Sequence, residues 1–370
     1  MNKIIVNATA LGSGGALVIL NQFVNSITTD GFYYIVFVSQ EYVVPKELSN
    51  NVKILHVNVK SWMMRIYWDS YGLRKWLRDN HIVPMVIISL QNTSIRTDKP
   101  VANIIYLHQA LPFVDKKWRF YKKTECKFWL YKIFYSYFIF RYTNDKTQFV
   151  VQTNWMKNSL ELKEVNIKNI HVIRPSFYSK VESVNDSFLD DYKGKKVLFY
   201  PADFLVYKNH IEIVKAFIFI KKEMKNISNI VVVFTFYENE SSELSELIND
   251  NSLQDNFKFI GKISYSKVLS LYRRSDLIVF PSYLESFGLP LQEAACYGKP
   301  IVCADELYSR EVLLDYNGVI FVKVGDTQKW ALAIQNYLYI GGEFTPINID
   351  FDSSWDVFFE LIKKVSSDVQ

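Results

Sequence analysis

The chain has 370 residues, 49% hydrophobic and 22% charged, and its 43 basic and 38 acidic side chains leave a net charge of +5. This excludes a disordered tail and a disulfide-stapled mini-domain, and suits two globular domains of ordinary size. The three cysteines, Cys126, Cys296 and Cys303, form no Cys-x-x-Cys pair, so neither a disulfide framework nor a structural zinc site is expected, and a reducing compartment is.

Along the chain, Lys3 precedes an apolar stretch that reaches Leu20, interrupted by Gly12-Ser13-Gly14-Gly15. The interruption argues against a signal peptide and for a strand, a glycine-rich turn and a helix. Short β-branched runs then alternate with helical stretches. Lys3–Ala8, Tyr34–Ser39, Val52–Val59, Met85–Ser89, Ala102–Leu107 and Phe149–Gln152 read as buried strands. Ala16–Ile27, Tyr71–Asn80 and Lys127–Arg141 read as helices between them. Phe128 to Phe140 is the most apolar window outside the N-terminus, but it is 13 residues long and contains Lys132, whereas a bilayer-spanning helix needs about 20 apolar residues. The chain therefore reads as soluble or peripheral.

Pro175 to Lys195 is polar and acidic and reads as a linker, after which the pattern restarts. Val197–Tyr200, Ile230–Phe234, Phe257–Ile260, Leu277–Phe280, Ile301–Cys303 and Val319–Val322 are strand candidates, and Trp355 to Val365 a final helix. Such alternation implies α/β domains, each a parallel sheet covered by helices. We expect an N-terminal domain over 1–180, a second over 181–353 and a C-terminal helix over 354–370 packing back toward the first.

Gly12-Ser13-Gly14-Gly15 follows the first strand and opens a helix, where glycines permit close backbone approach and free N–H groups favour an anion. Position 17 is Leu17, so the strict dinucleotide fingerprint fails. Glu41 is a weak imitation of a ribose-binding acid, and a turn needed only for packing stays open beside a phosphate-facing loop. A sharper signal runs from Phe280 to Ala294. A strand ends at Phe280, Glu285 occupies a loop, and a helix opens near Leu289 with Pro290 in its first turn. Glu285 is thus expected at the carboxyl end of a parallel strand, where open α/β sheets bind ligands, with Glu293 about one turn inside the helix. The plainer alternative makes Glu285 a helix cap and Glu293 a solvated surface residue.

Glu285-Ser286-Phe287-Gly288-Leu289-Pro290 and the Glu-x7-Glu spacing to Glu293 resemble retaining GT-B glycosyltransferases of family 4 (glycosyl transferase group 1). Gly298-Lys299-Pro300-Ile301-Val302, Glu311 and Tyr207-Lys208-Asn209-His210 extend the resemblance. Tyr106-Leu107-His108-Gln109 and Val151 to Lys157 resemble N-domain features of its polysaccharide-assembly members. The resemblance implies the GT-B architecture, two Rossmann-like parallel-sheet domains facing each other across a cleft. It also implies transfer of a sugar, with retention, from a nucleotide diphosphate donor (GDP-, UDP- or dTDP-sugar) to a lipid-linked saccharide of a bacterial O-antigen or related surface polysaccharide. By that resemblance Glu293 meets the ribose hydroxyls and Glu285 the donor sugar. Lys208 neutralises the diphosphate, and Gly14 and Gly15 offer N–H groups to the same phosphates. Ser286, Phe287 and Gly288 line the donor, and His108 lies near the transferred sugar. One departure is Asp203, where many members carry an arginine, with Lys262 a candidate replacement. The only Asp-x-Asp triplet, Asp350-Phe351-Asp352, reads as helix capping, so no metal and no cofactor beyond the co-substrate are expected. The alternatives are a non-catalytic nucleotide-sugar-binding or scaffold subunit, or a GT-B-fold epimerase.

The modest net charge conceals two halves of opposite sign. Residues 1–175 carry 23 basic and 11 acidic side chains, leaving 20 and 27 for residues 176–370. Lys116 to Arg141 concentrates eight basic residues, one acid and eleven aromatics. A second cluster includes Trp62, Arg65, Trp68, Arg74 and Trp76. Mixed rings and cations suit an anionic membrane surface. We therefore expect Lys116, Lys117, Lys122 and Lys123 to face the inner leaflet of the cytoplasmic membrane, and no nucleic-acid partner.

Overall fold

The computed structural model describes residues 2–12, 14–175, 186–224, 226–347 and 353–367, without the side chains of Thr124, Asp186 and Ser353. The chain divides into two compact units, residues 1–176 with 351–370, and residues 177–350.

The first unit holds seven strands: β1 (Asn2–Ala8), β2 (Phe32–Ser39), β3 (Val52–Val57), β4 (Val86–Ser89), β5 (Ala102–Leu107), β6 (Gln148–Val151) and β7 (Ile170–Val172). Every pairing is parallel, in the order β3-β2-β1-β4-β5-β6-β7. Ile4, Ile5 and Val6 are all fully buried, because successive side chains of β1 enter different cores. Ile4 and Val6 pack with Val36 and Ile88, and Ile5 with Ile35, Phe37 and Ile87. This is the continuous apolar run that a doubly covered parallel strand requires.

The unit's helices begin with α1 (Gly14–Ser26), α2 (Trp62–Tyr67), α3 (Leu73–Asp79), α4 (Lys123–Phe140) and α5 (Asn154–Glu161). The helix expected over Tyr71–Asn80 is α3; it is preceded by α2, to which a π-turn over Trp68–Gly72 joins it. The wider turn leaves Asp69 3% exposed. Strand β7 escaped the sequence reading because it is three residues long, lies at the sheet edge and carries His171 at its centre.

The second unit has β8 (Lys196–Tyr200), β9 (Ile230–Phe234), β10 (Phe257–Phe259), β11 (Leu277–Phe280), β12 (Ile301–Ala304) and β13 (Val319–Val322), all parallel, ordered β10-β9-β8-β11-β12-β13. Its helices are α6 (His210–Glu223), α7 (Ser242–Asp250), α8 (Tyr265–Arg274), α9 (Leu289–Cys296), α10 (Leu307–Val312) and α11 (Thr327–Ile340). The final helix, α12 (Ser353–Ser367), lies in the first unit, where Trp355, Phe358 and Ile362 join the core around Phe23 and Tyr34. Within the expected linker, residues 176–185 lie outside the described residues, and Asp186–Tyr192 forms a 3-10 helix rather than irregular chain. The triplet Asp350-Phe351-Asp352 also lies outside the described residues.

Candidate functional site

In the second unit, the residues the sequence singled out gather at the carboxyl ends of β8 and β11. After β8 the chain makes a 3-10 turn over Val206–Lys208, and Asn209 adopts a left-handed conformation (φ 56°) that starts α6. Lys208 therefore ends a turn ahead of the helix rather than opening the helix itself. After β11, Gly288 takes φ 95° and caps α9, with a proline in the first turn. One main-chain bond ties the two loops together, and two tyrosine hydroxyls, one to each loop, hold them in place. Tyr283 N–H donates to the Tyr207 carbonyl at 3.0 Å, Tyr200 hydroxyl to the Lys208 carbonyl at 2.7 Å, and Tyr308 hydroxyl to the Ser282 carbonyl at 2.6 Å.

The result is a direct ion pair: Lys208 Nζ donates to Glu285 Oε1 at 2.5 Å, with the two side chains 16% and 15% exposed. An ammonium has three donors, so Lys208 keeps others to offer beyond Glu285. The ring of Phe280 lies 5.8 Å below the same ammonium. Glu293 is buried, which overturns its alternative reading as a solvated surface residue. Its Oε1 accepts from the Tyr265 hydroxyl at 2.8 Å. Burial pushes its carboxyl up to about 7, although hydroxyl bonds from Tyr265 and Tyr272 oppose the shift. Phe287 and Gly288 are buried and Ser286 is half-buried beside them. Glu311 is half-buried on α10. Asp203 and Lys262 are mostly exposed, with Lys262 Nζ 3.8 Å from Asp203 Oδ1. The acid that stands in the usual arginine position thus carries a cation of its own.

In the first unit, β4 and β5 end side by side, and their carboxyl ends hold His108. Its main-chain N–H donates to Asn92 Oδ1 at 2.6 Å, and its Nε2 lies 2.9 Å from the Leu90 carbonyl and 3.2 Å from Asn92 Nδ2. The shorter contact, to a pure acceptor, favours a proton on Nε2 and leaves Nδ1 with the lone pair. Burial pushes the imidazole down to about 4, so His108 is neutral at pH 7 and acts there as a hydrogen-bonding group or base, not as a cation. Asp69 lies beneath the same pocket. Its Oδ1 accepts from Asn7 Nδ2 (2.8 Å) and Gln91 Nε2 (2.9 Å), and its Oδ2 from Thr93 Oγ1 (2.6 Å). Sequence reasoning missed Asp69, since a single acid within an aromatic helical stretch carries no motif. Gly14 and Gly15 are exposed at the start of α1, and a Cβ on either would meet nothing within 4 Å. Glu41 is exposed in the turn after β2. Lys116, Lys117, Lys122 and Lys123 are all exposed, as are Phe120, Tyr121, Phe134 and Tyr137 nearby, whereas Trp118 and Phe128 are buried. The basic aromatic segment is therefore part core and part surface.

Residues 184–341 match the family model for glycosyl transferases group 1. The matched stretch lies in the second unit and covers less than half of the chain. An uncharacterized glycosyltransferase of Methanocaldococcus jannaschii is 25% identical over 275 residues, 71% of this chain and 66% of that protein. The O-antigen chain mannosyltransferase RfbU of Salmonella typhimurium is 30% identical over 123 residues, 33% of this chain and 34% of that protein. The chain therefore spans from about a third to about two thirds of the length of these relatives. Among solved structures, WaaG, a glycosyltransferase involved in lipopolysaccharide biosynthesis, superposes with a TM-score of 0.70 at 13% identity, covering 91% of this chain and 90% of WaaG. HepE of Anabaena, in complex with UDP and glucose, superposes at 0.64 and 14% identity, covering 91% and 90%. The two-domain fold is that of GT-B glycosyltransferases.

Proposed function

We propose that the protein is a retaining, metal-independent glycosyltransferase that moves a sugar from a nucleotide diphosphate sugar to a lipid-linked oligosaccharide of a bacterial surface polysaccharide. The observation that carries this reading is the half-buried Lys208–Glu285 ion pair at the carboxyl end of the second unit's sheet, followed by the buried Glu293 about one turn inside α9. The match to RfbU and the fold shared with WaaG support the surface-polysaccharide assignment.

In this reading the second unit holds the donor. Glu293 accepts from the ribose hydroxyls, while Lys208 keeps one N–H on Glu285 and turns the others to the diphosphate. The bond from the anomeric carbon to the diphosphate oxygen breaks, a bond to the acceptor oxygen forms, and the acceptor proton leaves with the nucleoside diphosphate. Negative charge grows on the leaving group as the bond breaks, and a fixed ammonium in a partly dry site stabilises it by several kcal/mol. Glu285 faces the donor sugar and balances positive charge at the anomeric carbon. Gly14 and Gly15 offer N–H groups to the phosphates, and neutral His108 contacts the transferred sugar. The acceptor lies on the first unit, whose exposed lysines and rings hold the protein on the cytoplasmic face of the membrane.

The test has two stages. Thermal stabilisation by GDP-, UDP- or dTDP-sugars identifies the donor, since a ligand at about 100 times its dissociation constant adds roughly 2.7 kcal/mol. That donor is then incubated with lipid-linked acceptor. Glu285→Gln and Lys208→Ala are each expected to slow transfer by at least about a hundredfold. Near wild-type rates in both would sink the site assignment, and conversion of the donor without acceptor would identify an epimerase.

A further inference from the structure

Two features of the first unit adjoin, and of their residues only His108 has a part in the steps above. A polar cavity of about 160 Å³ is bordered by Arg65, Asp69, Asn92 and His108. An apolar trough of about 380 Å³ is lined by Trp62, Lys127, Leu130, Tyr131, Phe134 and Tyr135. Trp62, Tyr131 and Tyr135 line both, so the two adjoin and together make a groove with a polar and an apolar part. Helix α2 buries none of its six residues, and its Trp62 is 44% exposed while packing edge-on against Phe138 of α4 at 5.0 Å. Leu130 and Phe134 of α4 are 42% and 50% exposed. Large apolar side chains contiguous across two helices mark a binding surface.

Arg65 stands where the polar and apolar parts meet. Its Nε is buried without a hydrogen-bond partner, and it forms no ion pair among the described residues. The acid on the same turn, Asp69, has both oxygens occupied by Asn7, Gln91 and Thr93. A guanidinium without a carboxylate partner is matched by a phosphate, which the paired N–H groups at its Nη end grip while Nε stays closed to solvent.

We infer that this groove holds a single-chain lipid phosphate: the phosphate on Arg65, the chain along Trp62, Leu130 and Phe134, and the hydroxyl-bearing head toward Asn92 and His108. This rests on the reading of a lipid-linked acceptor, and assigns its site. Charge complementarity argues for that occupant, since Arg65 and Lys127 border the groove and its only carboxylate is engaged.

The probe is farnesyl diphosphate, titrated into the full-length protein by calorimetry and tryptophan fluorescence, with farnesol and inorganic pyrophosphate as partial probes. Farnesyl diphosphate is expected to bind at least about tenfold more tightly than either partial probe, since each loses one of the two contacts. Arg65→Ala should weaken it by about tenfold or more, with Arg65→Lys recovering part of the loss. Phe134→Ser should remove the preference over pyrophosphate, and saturating UDP should leave binding unchanged. Equal affinity in wild type and Arg65→Ala, pyrophosphate binding as tightly as farnesyl diphosphate, or displacement by UDP would each overturn the assignment. Unfolding by Arg65→Ala is checked by its melting curve; Arg65→Lys and Phe134→Ser then carry the test. The readout is binding, so its failure leaves sugar transfer standing, and failure of transfer leaves lipid phosphate binding to be read on its own.

Discussion

At the scale of single residues, Glu293 carries the clearest pH signature. Desolvation holds its carboxyl at about 7 in the folded protein, well above the ordinary glutamate value near 4.3. A group whose folded pKa is raised binds more protons folded than unfolded, so its contribution favours the fold at low pH and is lost as pH rises from about 4.5 through 7. Glu293→Gln is expected to flatten the fall in stability over that window, read by denaturant unfolding at several pH values. Nucleotide binding has the opposite sign. Ribose hydroxyls donating to the carboxylate favour its charged form, so affinity should rise with pH up to about 7 and then level. Calorimetry at pH 6.5 in buffers of different ionisation enthalpy should detect proton release on binding. Affinity unchanged between pH 5.5 and 7.5 would detach Glu293 from the nucleotide.

At the scale of elements, the β11–α9 turn depends on a glycine. Gly288 has φ 95°, and a Cβ there would lie 3.0 Å from two ring carbons of Tyr308. That ring has no freedom to retreat while its hydroxyl is bonded to the Ser282 carbonyl at 2.6 Å. Gly288→Ala should therefore cost about 2 kcal/mol, or roughly 4 to 8 °C in thermal midpoint, and lower nucleotide affinity with it. Gly14→Ala, also at positive φ (58°) but facing open space, carries only the backbone term of about 1 kcal/mol. Equal losses for the two would refute the steric argument. The turn was legible in the sequence because glycine, proline and a carboxylate at fixed offsets each have a separate physical reason to be there. Among the described residues, twelve of the thirteen strands were legible as short apolar runs, mostly β-branched, with the inner strands buried on both faces and edge strands such as β3 and β10 only partly. The π-turn was not. Part of its cause is local, since Gly72 sits against the Trp68 ring four residues earlier, 2.6 Å from where a Cβ would be; the rest is tertiary, since Asp69 is held by donors 22, 24 and 62 residues away in sequence. No local pattern announces a partner at that distance. The Lys208–Glu285 pair, 77 residues apart, was foreseen as two separate contacts to one donor, and the structure adds that they bond to each other.

At the scale of the whole chain, charge is distributed by domain. The first 175 residues carry a net +12 and the rest −7, from 23 against 11 and 20 against 27 charged side chains. The excess is concentrated around α4, where Lys116, Lys117, Lys122 and Lys123 are exposed beside Phe120, Tyr121, Phe134 and Tyr137. Among the described residues no helix is long and apolar enough to cross a membrane, so any attachment through this segment is a surface one. Each basic residue near an anionic leaflet contributes about 1 kcal/mol, and neutralising four of them should weaken vesicle binding by about a thousandfold, with reversal doing more. Exposed rings add an apolar part that salt does not screen. Replacing all four lysines by glutamate should leave the protein in the supernatant when anionic vesicles are sedimented, at a salt concentration where the unaltered protein pellets. Raising the salt on the unaltered protein should reduce the bound fraction without abolishing it. Nucleotide affinity serves as the control for folding, because these lysines and the Lys208–Glu285 pair belong to separate units. If the four-glutamate variant sediments like the unaltered protein while still binding nucleotide, the basic face is a solvated surface and the acceptor reaches the first unit by another route.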